Sequence, residues 1–176
     1  MKNIILIGFM GSGKTSVGAE IAALSGLKFE DIDTGIIKTA KMEIKEIFAK
    51  YGEEYFRKLE TKALKKTCAM KNRLISTGGG IVTRPENLEI LRGGGTVVYL
   101  KNSFGVSAKR LAGKKDRPLF DPANMKKTEE LYRKRLGLYE AAADITVVTD
   151  KKSVAQAARE VIKKAGIKVE NGKSKT

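Results

Sequence analysis

The stretch GFMGSGKTS, Gly8 to Ser16, follows directly on the apolar run NIILI at residues 3–7. Gly8, four intervening residues, then Gly13, Lys14 and Thr15 is the spacing of a Walker A phosphate-binding loop. Glycine allows successive backbone N–H groups to converge on phosphate oxygens. Lys14 brings a positive charge to the β- and γ-phosphates, and the Thr15 hydroxyl is placed to bind Mg²⁺. The loop should open a helix whose N-terminal dipole favours anions. IILI reads as a buried strand, and Val17, Ile21 and Leu24 give the next segment one apolar helical face closed by Gly26. A plain glycine-rich turn is the alternative, but Gly-Lys-Thr at this offset between strand and helix is much more specific.

A chain of 176 residues suits one well-packed domain. It is 41% hydrophobic and 31% charged, a globular balance. No apolar run approaches the roughly 20 residues of a membrane span. MKNIILIG is too short and too weakly charged for a signal peptide, and losing it would delete the first strand; a cytoplasmic location is therefore expected. With Cys68 as the single cysteine, an intrachain disulfide and a cysteine-clustered zinc site are excluded. Cys68 lies in the helical pattern ALKKTCAM and reads as a small hydrophobe rather than a reactive thiol. The chain has no histidine, which excludes Ser-His-Asp and Cys-His mechanisms and leaves a carboxylate, lysine, tyrosine or water as general base.

The net charge is +15, of which residues 166–176 contribute +2, so the excess is spread over the body. Most lysines share helical segments with glutamates, as in KMEIKEIFAKYGEEYFRKLETKALKK, residues 41–66. Solvated helix faces and attraction for anionic small molecules account for this better than a nucleic-acid surface does.

Candidate strands at residues 4–7, 27–30, 73–76, 96–100 and 145–149 alternate with helical patterns. Five strands at crossover spacing predict an α/β fold, a parallel sheet with helices on both faces. Residues 113–124, GKKDRPLFDPAN, interrupt the periodicity and read as a lid or an inert surface loop. Residues 1–165 form the expected domain and 166–176 a flexible basic tail.

Ligands of such sheets gather beyond the carboxyl ends of the strands. DID, Asp31 to Asp33, follows the second candidate strand. In an extended segment its two carboxylates would share a face, one toward a metal's water shell and one toward a substrate hydroxyl. A polar helix start capped by Asp33 or Thr34 is the competing interpretation. In FRKLE, Arg57 and Glu60 are helical neighbours, as a surface ion pair would also be. STGGG, Ser76 to Gly80, closes the third strand with three glycines that would let backbone approach a ligand. RKRLGLY offers Arg133, Lys134 and Arg135, one or two of which could face a cleft.

In their order, GFMGSGKTS, DID, IFAKYGEEYFRKLE, STGGG, DRPL, RLGLY and the VVTD strand end resemble the shikimate kinase family over residues 2 to about 165. The resemblance implies a three-layer P-loop kinase of the nucleoside-monophosphate-kinase type, with strand order 2-3-1-4-5. It implies ATP-dependent phosphorylation of the 3-hydroxyl of shikimate, with Mg²⁺ as cofactor, in aromatic amino-acid synthesis. It also implies a substrate-binding region at about 31–62, a lid at about 113–124, and a monomer whose partners are small molecules.

Carried over residue by residue, Gly11, Ser12, Gly13, Lys14, Thr15 and Ser16 would hold ATP phosphates. Thr15 would bind Mg²⁺, with Asp31 and Ser76 acting through water. Asp33 would bind the shikimate hydroxyls and serve as base, while Gly78, Gly79 and Gly80 approach the ring. Arg57 and Arg135 would grip the carboxylate, where a planar fork outperforms lysine. Glu60 would orient Arg57, and Met10, Phe48 and Phe56 would wall the ring. Arg117 of the lid would reach the transferring phosphoryl group, and Arg110 with the loop after Val148 would flank adenine. Phe120 stands where many relatives carry an aliphatic residue. A gluconate or nucleoside monophosphate kinase would share the phosphate loop but need other acceptor contacts. A basic nucleic-acid-binding P-loop protein would need a continuous basic stripe.

Overall fold

The computed structural model describes residues 2–112, 119–120 and 124–169. The expected lid falls largely outside this range, including Arg117, as do residues 170–176 of the expected tail. Five parallel strands form one sheet in the order β2-β3-β1-β4-β5: β1 (Asn3–Ile7), β2 (Lys28–Asp31), β3 (Arg73–Ser76), β4 (Gly95–Lys101) and β5 (Ile145–Val148). This is the expected topology, with strand ends shifted by a residue or so.

All five residues of the central strand β1 are buried, which is why its sequence is continuously apolar after Asn3. Successive side chains enter opposite layers. Ile5 and Ile7 join Ile75, Val97 and Tyr99 beneath α2 (Ile32–Ala40), α3 (Ile44–Cys68), α4 (Pro85–Gly94) and α6 (Met125–Ala142). Ile4 and Leu6 join Leu74, Val98 and Leu100 beneath α1 (Lys14–Ser25) and α7 (Val154–Lys164). Helix α5 (Phe104–Leu111) closes the ring of elements beside the phosphate loop. Ile167 is also buried, so packing continues two residues past the domain end expected at 165.

Local chemistry sets the boundaries. Gly26 ends α1 in the left-handed conformation, its N–H donating to the Ala22 carbonyl, as the expected closure required. The buried Asn3 amide ties the amino-terminal edge of the sheet together. Its Nδ2 donates to the carbonyls of Met70 at 2.7 Å and Gly94 at 3.0 Å, and its Oδ1 accepts the Arg73 N–H at 2.9 Å. Helix α3 is bent at Gly52, whose φ of 81° and ψ of 171° belong to a region essentially reserved for glycine.

The extended form expected for DID does not occur. Asp31 ends β2 and caps α2, its Oδ1 accepting the Thr34 N–H at 3.0 Å, while Ile32 and Asp33 are already helical. Neither Asp33 nor Thr34 is the cap. An aspartate one residue before the helix satisfies an orphan N–H there and stops the strand. Cys68 is half-buried, and burial pushes its thiol up to about 11, as fits a packed side chain rather than a nucleophile.

Candidate active site

The strand ends carry two adjoining cavities. The larger, about 340 Å³, is lined by the phosphate loop from Met10 to Val17, by Asp31 and Asp33, and by Arg110 and Lys152. The smaller, about 60 Å³, lies between α3, the glycine triplet and α6. Met10, Asp33 and Gly79 line both. Asp33 therefore stands where they meet, although helix geometry rather than strand alternation puts it there.

The phosphate loop has the conformation its glycines predict. Gly11 and Gly13 have φ of 79° and 95°, and Gly13 leads directly into α1. Lys14 is buried, and its Nζ donates to the carbonyls of Gly8 at 2.8 Å and Phe9 at 3.0 Å. Thr15 and Ser16 are exposed on the first turn of α1 and line the larger cavity, whereas Ser12 is buried. Thr15 Oγ1 donates to Asp31 Oδ2 at 3.0 Å and lies 3.5 Å from Ser76 Oγ. Two hydroxyls and a carboxylate form a hard oxygen donor set that suits Mg²⁺ sharing its shell with water and phosphate. Arg110 spans the mouth, its Nη1 donating to Gly11 O at 3.2 Å and its Nη2 to Thr149 O at 3.2 Å.

The smaller cavity is built on charge. Arg57 is 6% exposed and Arg135 5%. Arg57 Nη1 pairs with Glu60 Oε2 at 2.5 Å, and Glu60 is fully buried. Burial pushes the Glu60 carboxyl up and Arg57 pulls it back. Arg135 Nη1 donates to the Gly79 carbonyl at 3.3 Å, and among the described residues no carboxylate forms an ion pair with it. Burial, and secondarily the neighbouring Arg57, hold it below the usual arginine range. Arg133 and Lys134 are exposed, and Arg133 pairs with Glu129. Phe48 and Phe56, 4.9 Å apart between ring centroids, form the apolar wall, and Leu119 from the expected lid also lines the cavity. Phe120 turns into the core.

The glycine triplet lines the smaller cavity and also leaves space that the side chains of α3 fill. A Cβ on Gly78 would lie 2.2 Å from Glu60 Oε1, and one on Gly80 would lie 2.2 Å from Arg57 Nη1. The missing side chains make room for the buried ion pair.

Two participants, Tyr139 and Glu53, escaped the sequence reading. Tyr139 is buried, stacks on Tyr99 and donates its hydroxyl to the Gly79 carbonyl that Arg135 also engages. Its position four residues after Arg135 on one helix face was the available signal. Glu53, four residues before Arg57, binds the same guanidinium. Thr149 and Lys152, in the loop after Val148 that the sequence reading named, line the larger cavity.

Residues 10–166 match the family model for shikimate kinase. The chain belongs to the shikimate kinase family. Shikimate kinase of Caldanaerobacter subterraneus subsp. tengcongensis is 43% identical over 166 residues, covering 93% of this chain and 95% of its own. That of Thermodesulfovibrio yellowstonii is 42% identical over 175 residues, covering 99% and 100%. Among solved structures, a shikimate kinase from Acinetobacter baumannii in complex with shikimate superposes with a TM-score of 0.90 at 35% identity, covering 93% of this chain and 92% of that one. The activity of the shikimate kinase family, ATP-dependent phosphorylation of the 3-hydroxyl of shikimate, is therefore the activity of this chain. The gluconate-kinase alternative gives way to it.

Proposed function

We infer that the larger cavity takes ATP with Mg²⁺, that the smaller takes shikimate, and that Asp33 receives the proton of the acceptor hydroxyl. The observation that carries this assignment is the pair of buried guanidiniums, Arg57 and Arg135, at the end of a small cavity whose other end opens at Asp33 onto the phosphate loop. A buried cation with no acidic partner among the described residues, such as Arg135, is costly unless an anion completes it. A compact hydroxylated carboxylic acid would do so while presenting a hydroxyl to Asp33.

The acceptor oxygen attacks the γ-phosphorus, the bond to the bridging β–γ oxygen breaks, and ADP leaves with the electron pair. Asp33 takes the hydroxyl proton. Lys14 and the loop N–H groups, from Gly11 to Ser16, face the charge spread over the phosphoryl oxygens. Thr15, with Asp31 and Ser76 through water, would hold Mg²⁺, which supplies neutralisation of β- and γ-phosphate charge. Arg57 and Arg135 fix the acid by its carboxylate, and Gly78, Gly79 and Gly80 border the ring. Arg110 and Thr149 flank the adenine. Arg117, outside the described residues, is assigned to the transferring group on family resemblance alone.

Among the described residues no helix is long and apolar enough to cross a membrane. We take the protein to act as a cytoplasmic monomer on small molecules. A coupled assay of ADP release with shikimate, gluconate, nucleotides and RNA tests the whole reading. Turnover is expected with shikimate alone and should nearly vanish in Lys14→Ala. Activity on gluconate but not shikimate would overturn it.

A further inference from the structure

Arg57 carries two carboxylates of very different freedom. Glu60 meets Nη1 from a fully buried position, whereas Glu53 has a side chain 49% exposed and meets the opposite edge. Glu53 Oε1 accepts from Nε at 3.1 Å and from Nη2 at 2.7 Å. The guanidinium cannot turn away from this arrangement. Gly80 backbone lies against Nη1, since a Cβ there would sit 2.2 Å from it, and the Phe56 ring lies 5.4 Å from the guanidinium carbon. The Nε/Nη2 edge is thus the edge of Arg57 whose partner is half in solvent, and Glu53 can leave it for water provided that another anion takes its place.

Charge balance points the same way. With Glu53 in place, two carboxyl groups, those of Glu53 and Glu60, already stand against the single guanidinium of Arg57. An incoming acid would add another negative charge. If Glu53 departs as the acid arrives, one carboxylate replaces another and the buried Arg57 is never left without its acidic partners.

We propose that Glu53 is a displaceable stand-in for the substrate's carboxylate on the Nε/Nη2 edge of Arg57, so that it sets acceptor affinity and selects for acids able to take its place. This rests on the assignment of the smaller cavity to shikimate. Holding Arg57 occupied keeps the fork in its binding orientation, while competition from Glu53 weakens binding of any acceptor.

The test compares shikimate with its uncharged methyl ester at saturating Mg·ATP in wild type, Glu53→Gln and Arg57→Ala. In Glu53→Gln the KM for shikimate should fall roughly two- to fivefold, as competition from one half-solvated carboxylate is removed. The KM for the ester should not fall with it, because the ester has no carboxylate to exchange. A merely structural role for Glu53 would shift both acceptors together. An unchanged or raised KM for shikimate in Glu53→Gln, while Arg57→Ala still raises it, overturns the exchange and leaves the cavity assignment standing. An Arg57→Ala enzyme with unaltered KM for shikimate overturns the cavity assignment and the exchange with it.

Discussion

Thr15 and Asp31 meet at 3.0 Å across the gap between the phosphate loop and the end of β2, and the second oxygen of Asp31 caps α2 through Thr34. One carboxylate therefore faces the Thr15 hydroxyl and starts a helix. Asparagine is as good a cap as aspartate, so Asp31→Asn should keep the fold. It should weaken use of Mg·ATP, with partial relief by added Mg²⁺. Asp33→Asn should instead lower turnover at saturating substrates without rescue by metal, because an amide accepts a hydrogen bond but takes no proton. The loss is expected at about tens-fold if positioning supplies most of the catalysis. Initial rates against Mg²⁺ and shikimate, after circular dichroism of each variant, decide it; identical responses in the two would show the division of labour to be wrong.

Arg135→Met keeps the stem and removes the fork. Shikimate binding should weaken about ten- to hundredfold, the equivalent of roughly 1.5–3 kcal/mol for a charge-assisted contact, with little change in ATP affinity. Titration calorimetry with each ligand separates the two. Unchanged shikimate affinity would remove Arg135 from the site.

Side chains at Gly78 and Gly80 should act on the ion pair rather than on backbone conformation. Gly78→Ala and Gly80→Ala push against Glu60 and Arg57, and overpacking of this kind costs about 1–3 kcal/mol. Both variants should lose urea stability and raise the KM for shikimate. Gly35→Ala is the contrast, since nothing lies within 4 Å of its Cβ position in α2, and it should gain about 0.5–1 kcal/mol.

The Cys68 thiol, pushed up to about 11 by burial, should react slowly with Ellman's reagent at pH 8. Against a free thiol near 8.5, its thiolate fraction there is lower by roughly two orders of magnitude. Labelling should accelerate as pH rises towards 11, provided the fold persists. Rapid labelling of the native protein at pH 8 would contradict its packing against Gly94.

Much of this could be read from residues close together in the chain. The phosphate loop is a local motif, Arg57 and Glu60 are one helical turn apart, and β1 announces burial on both faces by its unbroken apolar run. What depended on distant packing could not be read. The need for glycine at 78 and 80 arises from where α3 delivers Glu60 and Arg57, and no pattern within STGGG reports that. The DID segment misled because strand alternation was extended two residues too far, past an aspartate that was itself the helix cap. Tyr139 and Glu53 looked like ordinary helix-surface residues until the arginines beside them proved to be buried.

Gly52 has a bearing on how such a protein can change. Its Cβ position is open space, so its identity is demanded by backbone angle alone. Any residue with a side chain there would favour carrying the helix straight through. The segment from Ile44 to Tyr51 would then swing as a unit, taking Phe48 away from Phe56 while Arg57 and Glu60 stayed in place. With the smaller cavity assigned to the acceptor as proposed, the breadth of acceptor that fits depends on one torsion as well as on the lining side chains. A descendant could then acquire a bulkier substrate by a single replacement outside the cavity, with no lining residue exchanged for another.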